Sequence, residues 1–276
     1  MAQNAPHTTN NSAKPTIIVA SFGTSVNETR AKSIGAIESS IREHFPEYDV
    51  RRAFTSKTII KKLAERDGIK IDSLEEALEK LVSEGKSSVV IQPTHFIVGM
   101  EFEKIQALAD SFKDRFEHIV VSQPLLVKYE DYIEAVKAIS ARMRGYDDGE
   151  TAICLMGHGN DKASNESYSI LQTMFIKRGL MRYFVGTVEG EPGIDQMIAM
   201  TRRNGLSKVV LHPFMLCGGD HARKDMADTN NPESWASKFL QAGIGVSYII
   251  EGCGELYGFH KVYITHLQEA INSLNA

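Results

Sequence analysis

The sequence is poor in cysteine, in excess positive charge and in long apolar runs, and each shortage removes a class of protein. Cys154, Cys217 and Cys253 are the 3 cysteines among 276 residues, far apart and without metal-type spacing. They offer neither a disulfide framework nor a thiolate zinc site, and each reads as a small buried apolar residue. No run approaches the roughly eighteen apolar residues that a membrane helix needs, and the N-terminus has no signal-peptide pattern. The chain therefore reads as cytoplasmic, with no membrane partner. Positive charge is not in excess either: 31 Lys and Arg against 35 Asp and Glu give a formal net charge of -4. That is the wrong sign for a protein whose affinity comes from neutralising phosphates, so nucleic acid is not an expected partner. Gly-x-Ser-x-Gly, Walker and Gly-x-Gly-x-x-Gly loops are missing, which leaves hydrolase, nucleotidase and dehydrogenase readings without their chemistry and predicts no nucleotide. The helix-borne His-Glu-x-x-His of zinc proteases is missing as well.

What is present is the composition of a protein able to bury a full core, 42% hydrophobic and 24% charged. Residues 1–14, rich in Asn, Thr, Ala and Ser, read as a disordered leader. If they are instead the mature end of an exported chain, the location becomes periplasmic. From residue 15 an α/β rhythm begins. The β-branched run 16–20 breaks at Ser21-Phe22-Gly23-Thr24-Ser25 and passes into a helical pattern with Ile34, Ile37 and Ile41 on one face. Further strands are predicted at 48–54, 88–92 and 118–122. Between them Ser73 and Glu76 form a capping box for a helix that runs to Gly85. A long amphipathic helix over 129–144 leads to the polar segment 145–149, which reads as a hinge.

Beyond the hinge the pattern repeats. Ile153-Cys154-Leu155-Met156-Gly157-His158-Gly159 echoes Ile17-Ile18-Val19-Ala20-Ser21-Phe22-Gly23, so that Phe22 corresponds to His158. Lys208-Val209-Val210-Leu211-His212-Pro213 echoes Ser88-Val89-Val90-Ile91-Gln92-Pro93, and Gly99 and Gly219 follow each proline by six residues, so that Glu101 corresponds to His221. Two similar flavodoxin-like halves follow, each a parallel sheet flanked by helices: residues 15–146, and residues 147–276 with a last helix free to pack back on the first half. Ligands of doubly wound sheets bind beyond the carboxyl ends of the strands, where these loops fall.

Candidate chemistry concentrates there. His158 lies between two glycines after a strand and is either a ligand or a capping or core histidine. His221 follows paired glycines at a helix start, where a ligand and a helix cap are both open readings. Asp225, four residues on, either orients the His221 ring or is a solvated helical charge. Glu189 ends a strand over 183–188 and is either functional or merely exposed. Two imidazoles and a carboxylate would suit Co²⁺, Fe²⁺, Ni²⁺ or Zn²⁺ and leave coordination positions open.

Taken together, Ala20-Ser21-Phe22-Gly23-Thr24-Ser25, Ala53-Phe54-Thr55-Ser56, Gln92-Pro93-Thr94-His95, Gly157-His158-Gly159, Val185-Gly186-Thr187-Val188-Glu189-Gly190 and Gly219-Asp220-His221 resemble the anaerobic sirohydrochlorin cobaltochelatases over residues 15–275, within the chelatase fold shared with ferrochelatase. The resemblance implies ATP-independent insertion of Co²⁺, or of Fe²⁺ or Ni²⁺, into a tetrapyrrole of the sirohydrochlorin type, with His158, Glu189 and His221 as metal ligands and catalytic groups. It implies a substrate with eight carboxylates, for which Ser21, Phe22, Thr24, Ser25, Arg52, Thr55, Lys57 and His95 are the candidate contacts. His95 would also be the ligand if haem were bound at a subunit contact, a reading with no other support; a packed structural histidine is the alternative. The competing function is a haem or metal carrier built on the same cleft. A homo-oligomer is left open.

Overall fold

The computed structural model describes residues 14–159 and 166–274; apart from Lys14, the leader expected at 1–14 lies outside the described residues. Eight strands form two separate four-stranded sheets. The first holds β1 (Thr16–Ser21), β2 (Val50–Phe54), β3 (Ser88–Pro93) and β4 (His118–Val121) in the order β2-β1-β3-β4. The second holds β5 (Thr151–Gly157), β6 (Tyr183–Thr187), β7 (Lys208–Pro213) and β8 (Gly245–Tyr248) in the order β6-β5-β7-β8. All neighbours are parallel, and β1 and β5 are buried along their whole length, as continuous apolar runs covered on both faces require.

The duplication extends to register. Ala20 stands opposite Ala53 and Pro93 in the first sheet, and Met156 stands opposite Gly186 and Pro213 in the second. Phe22 and His158 therefore follow their strands at equivalent positions. So do Glu101, in the first turn of the helix Met100–Ser111, and His221 after β7.

Side-chain alternation divides the sheets into inner and outer faces. Ile18, Ala20, Val89 and Ile91 face an outer core of the first half; Cys154, Met156, Val209 and Leu211 face an outer core of the second. Ile17, Val19 and Val90 point instead into one shared core with Ile153, Leu155 and Val210. The helices Tyr129–Met143, Glu166–Lys177 and Tyr257–Ser273 fill it. The C-terminal helix packs on first-half residues: the Tyr263 hydroxyl donates to the Thr94 carbonyl at 2.8 Å, His266 Nε2 lies 3.0 Å from Asp131 Oδ1, and Lys128 pairs with Glu269 at 2.6 Å.

Local chemistry accounts for the helix ends. Glu76 N–H donates to Ser73 Oγ at 3.2 Å while Ser73 N–H donates to the Glu76 carboxylate at 2.7 Å, which is the capping box the sequence predicts. The helix after β1 begins at Asn27 and passes through a π-helical turn, Arg30–Gly35, before Ala36–His44. The strand predicted from 48 starts at Val50, because Tyr48 turns back to donate to the Phe45 carbonyl. Among the described residues no helix is long and apolar enough to cross a membrane.

Candidate metal centre

The order β6-β5-β7 places three loops side by side at the carboxyl edge of the second sheet: that of β5, in the middle, carries His158, that of β6 carries Glu189, and that of β7 carries His221. The ladder between β5 and β6 continues past the ends of the strands, with Val188 N–H donating to the Gly157 carbonyl at 3.0 Å and Glu189 N–H to the His158 carbonyl at 2.8 Å. His158 and Glu189 are thereby paired through their backbones before any side chain is considered.

Glycines on both sides of His158 make this approach possible. A Cβ at Gly157 would come within 2.3 Å of the Tyr168 ring, and one at Gly159 within 2.8 Å of Thr187 Cβ and 3.0 Å of the Glu189 carbonyl carbon. Gly159 also has φ +80°, a conformation that side chains rarely adopt. On the other strand, the Gly218-Gly219 pair lets the β7 loop run close to Ile250 and Thr24 before a π-helical turn, His221–Met226. Thr29 Oγ1 donates to the Gly218 carbonyl at 3.3 Å and so ties this loop to the first half.

His158, Glu189 and His221 each present one donor atom, and these lie within 4.8 Å of one another, the one such cluster among the described residues. The two imidazoles meet edge to face with ring centroids 4.6 Å apart, and Glu189 Oε2 lies 3.8 Å from His158 Nδ1. All three side chains are 41% to 58% exposed, so an ion could arrive and leave without an opening of the fold. Hydrogen bonding fixes the tautomer of both rings. His158 Nδ1 is 2.8 Å from the Gly159 carbonyl and His221 Nδ1 is 2.6 Å from Asp225 Oδ2. A carbonyl and a carboxylate can only accept, so in the neutral form of each ring Nδ1 carries the proton and Nε2 keeps a lone pair open to a metal.

The other sequence-predicted contacts are dispersed. Phe22 is 47% exposed at the first-half position equivalent to His158. Ser21 is fully buried and its hydroxyl accepts from Thr94 at 2.9 Å, so it faces into the protein. The guanidinium of Arg52 forms a bidentate pair with buried Glu38 at 2.6 and 2.7 Å, which commits it internally. Thr24 and Ser25 are buried beside the β7 loop, Thr24 Oγ1 accepting from Val26 N–H at 3.3 Å and the Ser25 carbonyl accepting from Arg66 at 2.5 Å. The Thr55 hydroxyl is buried without a partner, and Lys57 lines a groove with Lys61, Ser73, Glu76 and Lys80. Both ring nitrogens of His95 are buried and unpartnered, and burial pushes its pKa down to about 4, so it is neutral near pH 7. Burial pushes the Cys154 and Cys217 thiols up to about 12, far from reactive thiolates. Sequence reasoning missed the roles of Tyr168, which fills the space left by Gly157, and of Arg66, which braces the Ser25 loop; neither carries a local signal.

Comparison with known proteins places the architecture. Two solved structures share it: SirB from Bacillus subtilis with Fe³⁺, at a TM-score of 0.64 and 15% identity over 95% of this chain and 98% of that one, and the sirohydrochlorin chelatase SirB from Bacillus subtilis subspecies spizizenii in complex with cobalt, at 0.63 and 12% over 95% and 97%. At such identities the likeness is one of fold, and the fold is that of the chelatases. Closer relatives are found by sequence: the sirohydrochlorin cobaltochelatase of Salmonella typhimurium is 36% identical over 94% of this chain and 97% of its own. Sirohydrochlorin cobaltochelatase CbiKC of Nitratidesulfovibrio vulgaris is 30% identical over 95% and 92%. The family described as Cobalt chelatase (CbiK) matches residues 15–272, and the chain belongs to that family.

Proposed function

We propose that the chain inserts Co²⁺ into sirohydrochlorin on the anaerobic route to cobalamin, without ATP, with His158, Glu189 and His221 holding the incoming ion. The observation that carries this reading is the convergence of the three donors within 4.8 Å on exposed loops. Insertion exchanges one divalent ion for two pyrrole N–H protons. The ion must be held near the macrocycle by few enough protein ligands to be released, and a group must take each proton as it leaves. Two imidazoles and a carboxylate meet both needs: they bind a borderline ion such as Co²⁺ with positions to spare, and an imidazole freed of metal accepts a proton near neutral pH. A tetrapyrrole lying across the cleft would meet the exposed Phe22 ring and, through its carboxylates, Lys57, while Thr24, Ser25 and the Thr55 hydroxyl, all buried, would support the loops from beneath. Ser21 and Arg52, turned inward, would act through these neighbours, and His95 would shape the pocket as a neutral ring. A cytoplasmic location belongs to the same proposal.

Steady-state assays with sirohydrochlorin and Co²⁺, Fe²⁺ or Ni²⁺ in separate and competing reactions test it by the absorbance of the metallated product. Multiple turnovers with Co²⁺ are expected. Conversion that stops at one equivalent of protein would replace the enzyme with a carrier of metal or haem, and a preference for Fe²⁺ or Ni²⁺ would reassign the ion.

A further inference from the structure

We propose that Asp225 is a positioning residue for metal capture, fixing the tautomer and ring orientation of His221; the inference rests on the metal-binding reading of the site. Three observations carry it. First, Asp225 Oδ2 lies 2.6 Å from His221 Nδ1, and an ionised carboxylate can only accept, so the single proton of the neutral ring is held there and Nε2 is left as the ligand atom. Secondly, the neighbouring Lys224 is directed elsewhere, its Nζ lying 3.5 Å from Asp220. Among the described residues the Asp225 carboxylate has no hydrogen-bond or ion-pair partner but His221. Thirdly, the two residues sit in one π-helical turn, His221–Met226, which follows Gly218-Gly219, so the ring and its acceptor are carried by one short piece of backbone.

His158 does without a side-chain acceptor, since its Nδ1 finds the Gly159 carbonyl 2.8 Å away. The two ligand histidines are thus oriented by different means: one by the backbone of its own loop and the other by a replaceable side chain. A carboxylate behind a ligating imidazole holds the ring and strengthens it as a donor, and loss of such a partner weakens metal affinity by about 10–100-fold.

Titration of the substrate-free protein with Co²⁺ alone, followed by the visible ligand-field bands of the bound ion, tests the assignment independently of turnover. Asp225→Ala is expected to weaken Co²⁺ binding about 10–100-fold. It should raise the KM for Co²⁺ and leave that for sirohydrochlorin unchanged. Asp225→Asn, which keeps an acceptor oxygen at the same reach, is expected to restore most of the affinity. Because the Asp225 side chain is 40% exposed, both variants should melt as the wild type does. Wild-type Co²⁺ affinity in Asp225→Ala overturns the proposal, and equal weakening in Asp225→Ala and Asp225→Asn overturns it in favour of a purely electrostatic effect. His158→Ala and His221→Ala, run alongside, separate the two levels. If they lose Co²⁺ binding while Asp225→Ala keeps it, the positioning role alone falls; if they too bind as wild type does, the metal reading falls and takes the positioning role with it.

Discussion

An imidazole has one lone pair to give and, when neutral, one proton to place, and at this site both protons are already placed. His158 and His221 place theirs on Gly159 and Asp225, so on the proposed reading no rearrangement is needed before a metal binds. On the proposed reading each of His158→Ala and His221→Ala removes a ligand and a proton acceptor together, so each should lower cobalt insertion by at least about 100-fold. Far-ultraviolet circular dichroism should be unchanged, because both side chains are half-exposed and outside the core; wild-type rates in either variant would refute the assignment. A second prediction concerns a histidine outside the site. His212 is fully buried, and burial, helped by the charge of Arg142, pushes its pKa from the ordinary 6.5 down to about 3. The folded state therefore refuses a proton that the unfolded chain accepts. Stability from this group is complete above about pH 6.5 and is lost progressively as pH falls towards 3. Gln92 fills the equivalent position of the first sheet, so His212→Gln should fit. Melting temperatures measured from pH 7 to pH 5 should fall less steeply in this variant than in the wild type, with Co²⁺ affinity unchanged; an identical slope would contradict the account.

At the scale of elements, the site depends on strand order and on backbone close approach more than on any helix. β5 is the middle member of β6-β5-β7, so its loop has a loop bearing a candidate ligand on each side. Gly159 is where that neighbourhood is tightest. Gly159→Ala would force a side chain into left-handed backbone at φ +80°, about 1–2 kcal/mol of strain, and drive its Cβ against Thr187 and Glu189. A fall of several degrees in melting temperature is expected, together with weaker Co²⁺ binding as Glu189 is displaced; a fully active, equally stable variant would show that the contact is unimportant. Much of this level was legible in the sequence. Buried parallel strands announce themselves as apolar runs, and the glycines around His158 and before His221 mark loops where backbones come close. β8 was not legible, because Gly245–Tyr248 is short and lies at an exposed edge without alternation. Nor were the two π-helical turns, which no residue pattern distinguishes from α-helix. The inward rotation of Ser21 and the capture of Arg52 by Glu38 were equally hidden, since both depend on partners distant in sequence.

For the whole molecule, the inner faces of both sheets share one core, so the cleft is framed by halves that are packed against each other. The C-terminal helix is the strongest link, and Tyr263 is buried within it. Tyr263→Phe leaves the Thr94 carbonyl without its donor and should cost about 1–3 kcal/mol, measured by denaturant unfolding. A cost near zero would mean that this contact does not hold the halves together. The amino-acid sequence by itself determined the repeated strand-and-loop pattern and the candidate side chains at strand ends, because these are properties of local composition and periodicity; the resemblance to a known family singled out three of them. Only the tertiary structure decided that β6 and β7 flank β5, that the ligand atoms of His158, Glu189 and His221 come within 4.8 Å of one another, and which polar side chains turn inward. Strand pairing joins residues thirty or more positions apart, and the free energy that selects it comes from burying whole faces rather than from any local signal.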